Sequence, residues 1–277
     1  MFPDSFTTSD GLKLRCYGEQ PPSGRPYGRV ILIHGLGDHA CSLPYGNLSA
    51  YLVARNFAVY AFDLRGHGQS EGERMAVRTF QELTHDVGTF LELVQRITPD
   101  VPLFLVGMSL GGLIALNYSQ HHPAGLHGVV AIAPAVTEAG VPRIVRQIIP
   151  LLARWLPRLA FNPGLDLAHI SRDTAAVQAY TSDPLFQTRT TPKLAAEVLL
   201  AMTETRRLAS QLHLPVLILH GTADTIVPPQ GSELFWQQVA APDKTRLTYE
   251  GAYHNLPLEP NRAQVFADIV SWFEPRL

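Results

Sequence analysis

Short apolar runs that close on a small residue recur along this chain. VILIHG (30–35), AVYAFDLRG (58–66), LFLVG (103–107), GVVAIAP (128–134), VLILHG (216–221) and RLTYEG (246–251) each end in glycine or proline. Most are apolar at consecutive rather than alternate positions, the pattern of strands buried on both faces. Between most of them lie helical patterns, at about 47–55, 79–97, 110–121, 229–240 and 261–274. Strand and helix in alternation predict an α/β fold, a mostly parallel sheet of about eight strands flanked by helices. SFTTSDGLKLRCYG reads as a hairpin turning at Ser9-Asp10-Gly11 and feeding the sheet edge.

The alternation breaks at about residue 136 and resumes at about 211. The segment between has no clear strand and carries Pro142, Pro150, Pro157, Pro163, Pro184 and Pro192. It predicts one domain, residues 1–277, with a core of about 1–135 and 211–277 and a helical cap of about 136–210. Within the cap, VPRIVRQIIPLLARWLPRL (141–159) places Arg143, Arg146, Arg154 and Arg158 on one stripe. Ile144, Val145, Ile148, Ile149, Leu152, Trp155, Leu156 and Leu159 fall opposite. Pro150 is expected to kink or divide this helix. Two readings stay open: a lid packed on the core with a solvated basic face, or a lid whose apolar face lines an acyl tunnel or touches a membrane surface.

Composition narrows the classes. With 277 residues, 46% hydrophobic and 17% charged, the chain supports a sizeable core. A net charge of −2 gives no pull toward nucleic acid. Cys16 and Cys41 read as free thiols. MFPDSFTTSDG has neither a basic nor an apolar leader region, and no run of eighteen apolar residues follows, so a cytoplasmic protein, at most peripheral to membranes, is expected. No Cys/His spacing fits a zinc site, and His121-His122 lacks a partner pattern, so neither metal nor cofactor is expected.

The candidate chemistry centres on Gly107-Met108-Ser109-Leu110-Gly111, a Gly-x-Ser-x-Gly pattern after an apolar strand and before a helix. Such a turn is so sharp that larger residues two places either side of the serine would collide, and it holds the hydroxyl exposed. Gly112 would let the helix sit close to a neighbouring strand. A serine hydroxyl needs a base, and the base needs an orienting acid. In chain order the acid precedes the histidine. Asp224 follows the VLILHG strand, and His254, the only histidine beyond it, follows RLTYEG. The backbone amides of Leu110, at the helix N-terminus, and Leu36, in HGLGDH, would hold an oxyanion. His34 and His67 read as scaffold histidines that tie loops together.

These residues resemble the α/β-hydrolase superfamily, and within it the monoacylglycerol lipase and lysophospholipase-like branch. HGLGDH, DLRGHGQSEG, GMSLGG, APAV, YTSDPLFQTRTTPKLAAEVL, LILHGTADTIVPP and YEGAYHNLPLEP are similar to that family's blocks, in order, over nearly the whole chain. The resemblance implies an α/β-hydrolase fold with a helical cap, a cofactor-independent serine ester hydrolase, and a catalytic Ser109, Asp224 and His254. It also implies an oxyanion hole at Leu36 and Leu110 and a fatty acyl monoglyceride as substrate. Asp38, Ile148 and Ile149 are then expected to contact substrate. Where the family has Gly-Arg-Tyr shortly after the loop histidine, this chain has Ala40-Cys41-Ser42-Leu43-Pro44-Tyr45, and the arginine is missing. Lysophospholipase or broad carboxylesterase activity is the alternative, and a non-catalytic ligand-binding member of the fold the remote one. The partner expected is a lipid ester, with transient membrane contact through the cap.

Overall fold

Strands apolar at every position must be covered on both sides, and they are. In the computed structural model, which describes residues 2–277, eight strands form one sheet in the order β1-β2-β4-β3-β5-β6-β7-β8. β1 (Ser5–Thr7) and β2 (Lys13–Glu19) make the expected hairpin, and β2 joins the sheet antiparallel to β4 (Phe57–Phe62). β3 (Gly28–Ile33), β4, β5 (Leu103–Met108), β6 (Gly128–Ile132), β7 (Val216–Gly221) and β8 (Lys244–Tyr249) are parallel.

Alternate strand residues feed two separate cores. Ile31, Leu105, Val129 and Ile218 face one side, where α2 (Gln81–Ile97), α3 (Leu110–His121), α6 (Pro192–Arg207) and α7 (Pro229–Gln238) pack. Val30, Phe104, Val130 and Leu217 face the other, covered by α1 (Leu43–Val53) and α8 (Arg262–Phe273). α1 begins four residues before the sequence pattern suggested. Its first turn holds Pro44, a residue suited to helix starts because that amide has no intrahelical partner anyway.

Between β6 and β7 the chain forms α4 (Arg143–Trp155), α5 (Thr174–Thr181) and α6. α4 is not divided at Pro150: the helix runs through it. Proline removes one intrahelical bond, and packing of α4 along α6 supplies support from outside the helix. The one extended pairing of this segment joins Phe161 to Thr190, through Phe161 N→Thr190 O at 2.9 Å and the reciprocal bond at 2.8 Å. Cys16 and Cys41 are both free thiols, the first buried and the second exposed.

The small residues around Ser109 are required by close approach. A β-carbon on Gly107 would overlap the Gly111 carbonyl, and one on Gly111 would overlap the Ile33 carbonyl at the end of β3. One on Gly112 would sit 3.0 Å from Pro134, just past β6. Gly111→Ala is therefore expected to lower unfolding free energy by about 1–3 kcal/mol in urea titration, the usual range for overpacking. Gly46→Ala, in α1 with open space around its β-carbon position, should raise it by up to about 1 kcal/mol.

Candidate active site at the carboxyl edge of the sheet

Each residue singled out for chemistry leaves the same edge of the sheet. Leu36 follows β3, Ser109 follows β5, Asp224 follows β7 and His254 follows β8. Ligands bind at this edge in open α/β sheets.

Ser109 has φ 55° and ψ −117°, a conformation that side-chain-bearing residues seldom adopt. Holding it costs about 1–3 kcal/mol, so the surroundings must over-determine it. They do. Its amide donates to Ile132 O at 2.9 Å, and its carbonyl accepts from Leu113 N and Ala135 N, both at 3.0 Å. The side chain is half-buried, beside Gly35, whose β-carbon position lies 3.4 Å from Ser109 Cβ. The amides of Leu36 and Leu110 have no hydrogen-bond partner among the described residues. Leu110 is the first residue of α3, where helix dipole and unpaired amides both favour negative charge.

His254 and Asp224 are both buried, and His254 Nδ1 lies 2.7 Å from Asp224 Oδ2. A carboxylate only accepts, so Nδ1 carries the proton and Nε2 of the neutral ring keeps its lone pair. Among the described residues, no hydrogen bond joins Nε2 to Ser109 Oγ; catalytic contacts of this kind commonly tighten once substrate is bound. Burial alone would raise the Asp224 pKa. The pull of His254, with bonds from His220 and the Val227 amide, more than offsets it and holds the carboxyl below the ordinary carboxylate range. Asp224 is thus an anion at neutral pH.

The segment between β6 and β7 grips the loops that carry these groups. Asp38, 1% exposed, accepts from Tyr180 Oη of α5 at 2.7 Å and from the His39 amide at 2.8 Å. His39 Nε2 meets Asp183 Oδ2 at 3.0 Å, and Gln187 N donates to Gly37 O at 2.7 Å. On the other side, Asn255 N donates to Ile170 O at 2.8 Å, and Ser171 Oγ donates to Leu258 O at 2.9 Å. Arg172 Nε pairs with the fully buried Glu259 at 2.6 Å. The blocks that hold these residues are visible in the sequence, but the pairing of Asp38 with Tyr180, of His39 with Asp183 and of Arg172 with Glu259 is not, because each match lies more than eighty residues away.

Of the two histidines expected to tie loops together, His34 does so, whereas His67 bonds only within its own turn and its buried Nε2 has no partner among the described residues. His34 Nε2 accepts from Leu64 N at 2.9 Å, and His67 Nδ1 lies 3.0 Å from Arg65 O. Burial pushes both imidazoles down to about 3, so both stay neutral. Of the candidate cap contacts, Ile149 is 4% exposed and Ile148 is 42% exposed on α4. A small cavity of about 110 Å³ beside Leu36 is lined by Met75, Leu165, Leu167 and Phe186 together with the polar Asn162, Gln187, Thr188 and Arg189, and not by Ile148 or Ile149. A larger cavity of about 410 Å³ lies away from Ser109 and His254, among Asp10, Arg65, Glu73, Arg78 and Arg158. Those charges pair with one another across it, so it offers no free group to a substrate. Among the described residues, no group of three or more His, Cys, Asp or Glu side chains is disposed to hold a metal ion.

Residues 24–261 match the family described as serine aminopeptidase, S33. Monoglyceride lipase from Mus musculus is 34% identical over 278 residues, covering 98% of this chain and 90% of that one. The crystal structure of Paleococcus ferrophilus monoacylglycerol lipase superposes with a TM-score of 0.87 at 34% identity, covering 95% of this chain and 99% of that one. A soluble variant of monoglyceride lipase from Saccharomyces cerevisiae, solved with a substrate analog, gives 0.88 at 27% identity, covering 99% and 95%.

Burial pushes the Asp38 carboxyl up to about 6, against the bonds from Tyr180 and the His39 amide. The folded protein therefore holds this proton more tightly than the unfolded chain. Stability should fall as pH rises from about 4 to about 6 and level off above that, by at most one proton of linkage. Asp38→Asn should flatten that part of the pH–stability curve, read as urea midpoints at closely spaced pH values. An unchanged slope would show that Asp38 titrates normally.

Proposed function

Because this chain belongs to the serine aminopeptidase S33 family of α/β-hydrolases, we propose that it cleaves fatty acyl monoglycerides to free fatty acid and glycerol through an acyl-enzyme on Ser109. It is a carboxylic ester hydrolase. The observation that carries the mechanism is the buried 2.7 Å pair of His254 and Asp224, at the same sheet edge as a serine held in a strained turn.

In this reading His254 Nε2 takes the Ser109 proton as the oxygen attacks the acyl carbonyl. The unpaired amides of Leu36 and Leu110 receive the developing oxyanion, each worth about 3–4 kcal/mol of barrier. His254 returns the proton to the departing alcohol, then activates water to release the fatty acid. Asp224 keeps the ring in the Nδ1–H form and stabilises its charged state. In the cavity beside Leu36, Met75, Leu165, Leu167 and Phe186 offer apolar contact to part of an acyl chain. An aminopeptidase would need a free carboxylate for a substrate ammonium. The carboxylates of Asp38, Asp183 and Glu259 are instead engaged by Tyr180, His39 and Arg172.

Residues 136–210 act as a cap on this reading, and α4 rests against lipid. No helix in the described residues is long and apolar enough to cross a membrane. α4 nevertheless leaves Ile144, Ile148, Leu151 and Trp155 exposed, at 59%, 42%, 61% and 73%, flanked by Arg143 and Arg154. Such a face lies in the plane of a lipid interface.

Ser109→Ala should abolish labelling by a fluorophosphonate. His254→Ala should lower kcat by roughly 10⁴-fold with little change in melting temperature. Near-native turnover in that variant would remove His254 from the mechanism. On a panel of esters, monoglycerides should be hydrolysed faster than lysophosphatidylcholine or diglycerides; preference for the lysolipid would favour the lysophospholipase reading.

Changing Leu151 and Trp155 together to Ser should weaken binding to phosphatidylcholine–phosphatidylglycerol vesicles by about tenfold or more, given the apolar area lost. Hydrolysis of a short soluble ester should be unaffected. Unchanged vesicle binding would leave α4 out of membrane contact.

A further inference from the structure

The acid of the site carries a second imidazole. His220 is the penultimate residue of β7 and fully buried. Its Nε2 lies 3.1 Å from Asp224 Oδ2 and 2.9 Å from Val227 O. Both are acceptors, so Nε2 carries a proton. Nδ1 lies 2.8 Å from Ser232 Oγ on α7. Asp224 Oδ2 therefore receives two imidazole N–H groups, one from His254 and one from His220. Oδ1 receives the amides of Ile226 and Val227, both at 2.9 Å. All four acceptor directions of the carboxylate are filled.

We infer that His220 is a positioning residue for the hydrolytic reaction: it fixes the plane of the Asp224 carboxylate and draws charge from the oxygen that holds His254. This rests on the Ser109–His254–Asp224 reading. A polar side chain at the end of an apolar strand needs only local partners, and Ser232, with its hydroxyl hydrogen turned from Pro229 O to Nδ1, would together with Val227 O satisfy His220 fully. The additional bond to Oδ2 has a chemical consequence instead. The less charge Oδ2 offers to Nδ1–H, the less firmly the charged form of the His254 ring is held.

Other charged groups reach the His254 loop in internally matched pairs. Glu259, bonded to the Tyr253 amide at 3.1 Å, is paired with Arg172. Asp166 is 2.8 Å from His169, whose carbonyl accepts the His254 amide. Neither pair is touched by a change at His220.

Two polar replacements separate the roles. The amide nitrogen of His220→Gln can occupy the place of Nε2 and donate to Asp224. That of His220→Asn reaches only the place of Nδ1 and keeps the Ser232 contact. With a soluble p-nitrophenyl ester, His220→Asn should move the acid limb of the kcat/KM profile up by about half a pH unit or more and lower kcat by about tenfold, with KM within about twofold. His220→Gln should restore the native profile at a similar melting temperature. In the native protein, long-range proton–nitrogen correlation of the imidazoles should find His220 protonated at Nε2.

Coincident profiles for the two variants, or an Nε2 without its proton, would overturn the role. His254→Ala tells this failure from the larger one. If that variant keeps native turnover, the catalytic reading itself is lost; if it is inactive while His220→Asn keeps the native profile, only His220 is excluded.

Discussion

Everything at the sheet edge depends on keeping one serine backbone where it does not want to be. A residue at φ 55° persists only if its neighbours leave no relaxed alternative. Here the amide of Ser109 belongs to β6, and its carbonyl serves both α3 and the segment after β6. The three glycines around it let that turn press against the end of β3 and the start of the next loop. The same compression opens α3 with an unpaired amide at Leu110 and brings Gly35 against Ser109, placing the unpaired Leu36 amide one residue beyond. The strained turn, the two unpaired amides and the position of the Ser109 hydroxyl are consequences of a single packing arrangement.

The buried Asp224 charge is the second constraint. A carboxylate taken from water is costly unless its oxygens are met by donors. Four donors meet this one, two amides of its own turn and two imidazoles. The turn that follows β7 therefore positions the acid and neutralises the cost of burying it by the same bonds.

Much of this was legible along the chain, and for a physical reason. Strands covered on both faces must be apolar throughout, so β3 to β7 announce themselves in runs such as VILIHG and VLILHG. The turn at Ser109 needs small residues at fixed offsets, and those are written locally. What stayed hidden was pairing at long range. Nothing near Asp38 points to Tyr180, nothing near His39 to Asp183, and His220 looks like one more residue of an apolar strand. The one available signal was its polarity at a position where the neighbouring strand residues are Leu219 and Ile218. α4 shows a related limit: periodicity defines its apolar stripe, but only packing decides that Ile149 is covered while Ile148 and Trp155 are not. Pro150 breaks a local rule that contact with α6 overrides.

The segment between β6 and β7 is fastened to both flanks of the site. Tyr180, Asp183 and Gln187 hold the loop after β3, while Ile170, Ser171 and Arg172 hold the loop after β8. It is thus a brace between those two loops. Exchanging it for the corresponding segment of another hydrolase would transplant more than a substrate preference, because the graft would also have to reproduce six anchorage points on two separate loops. Selectivity and turnover in this architecture are consequently inherited together.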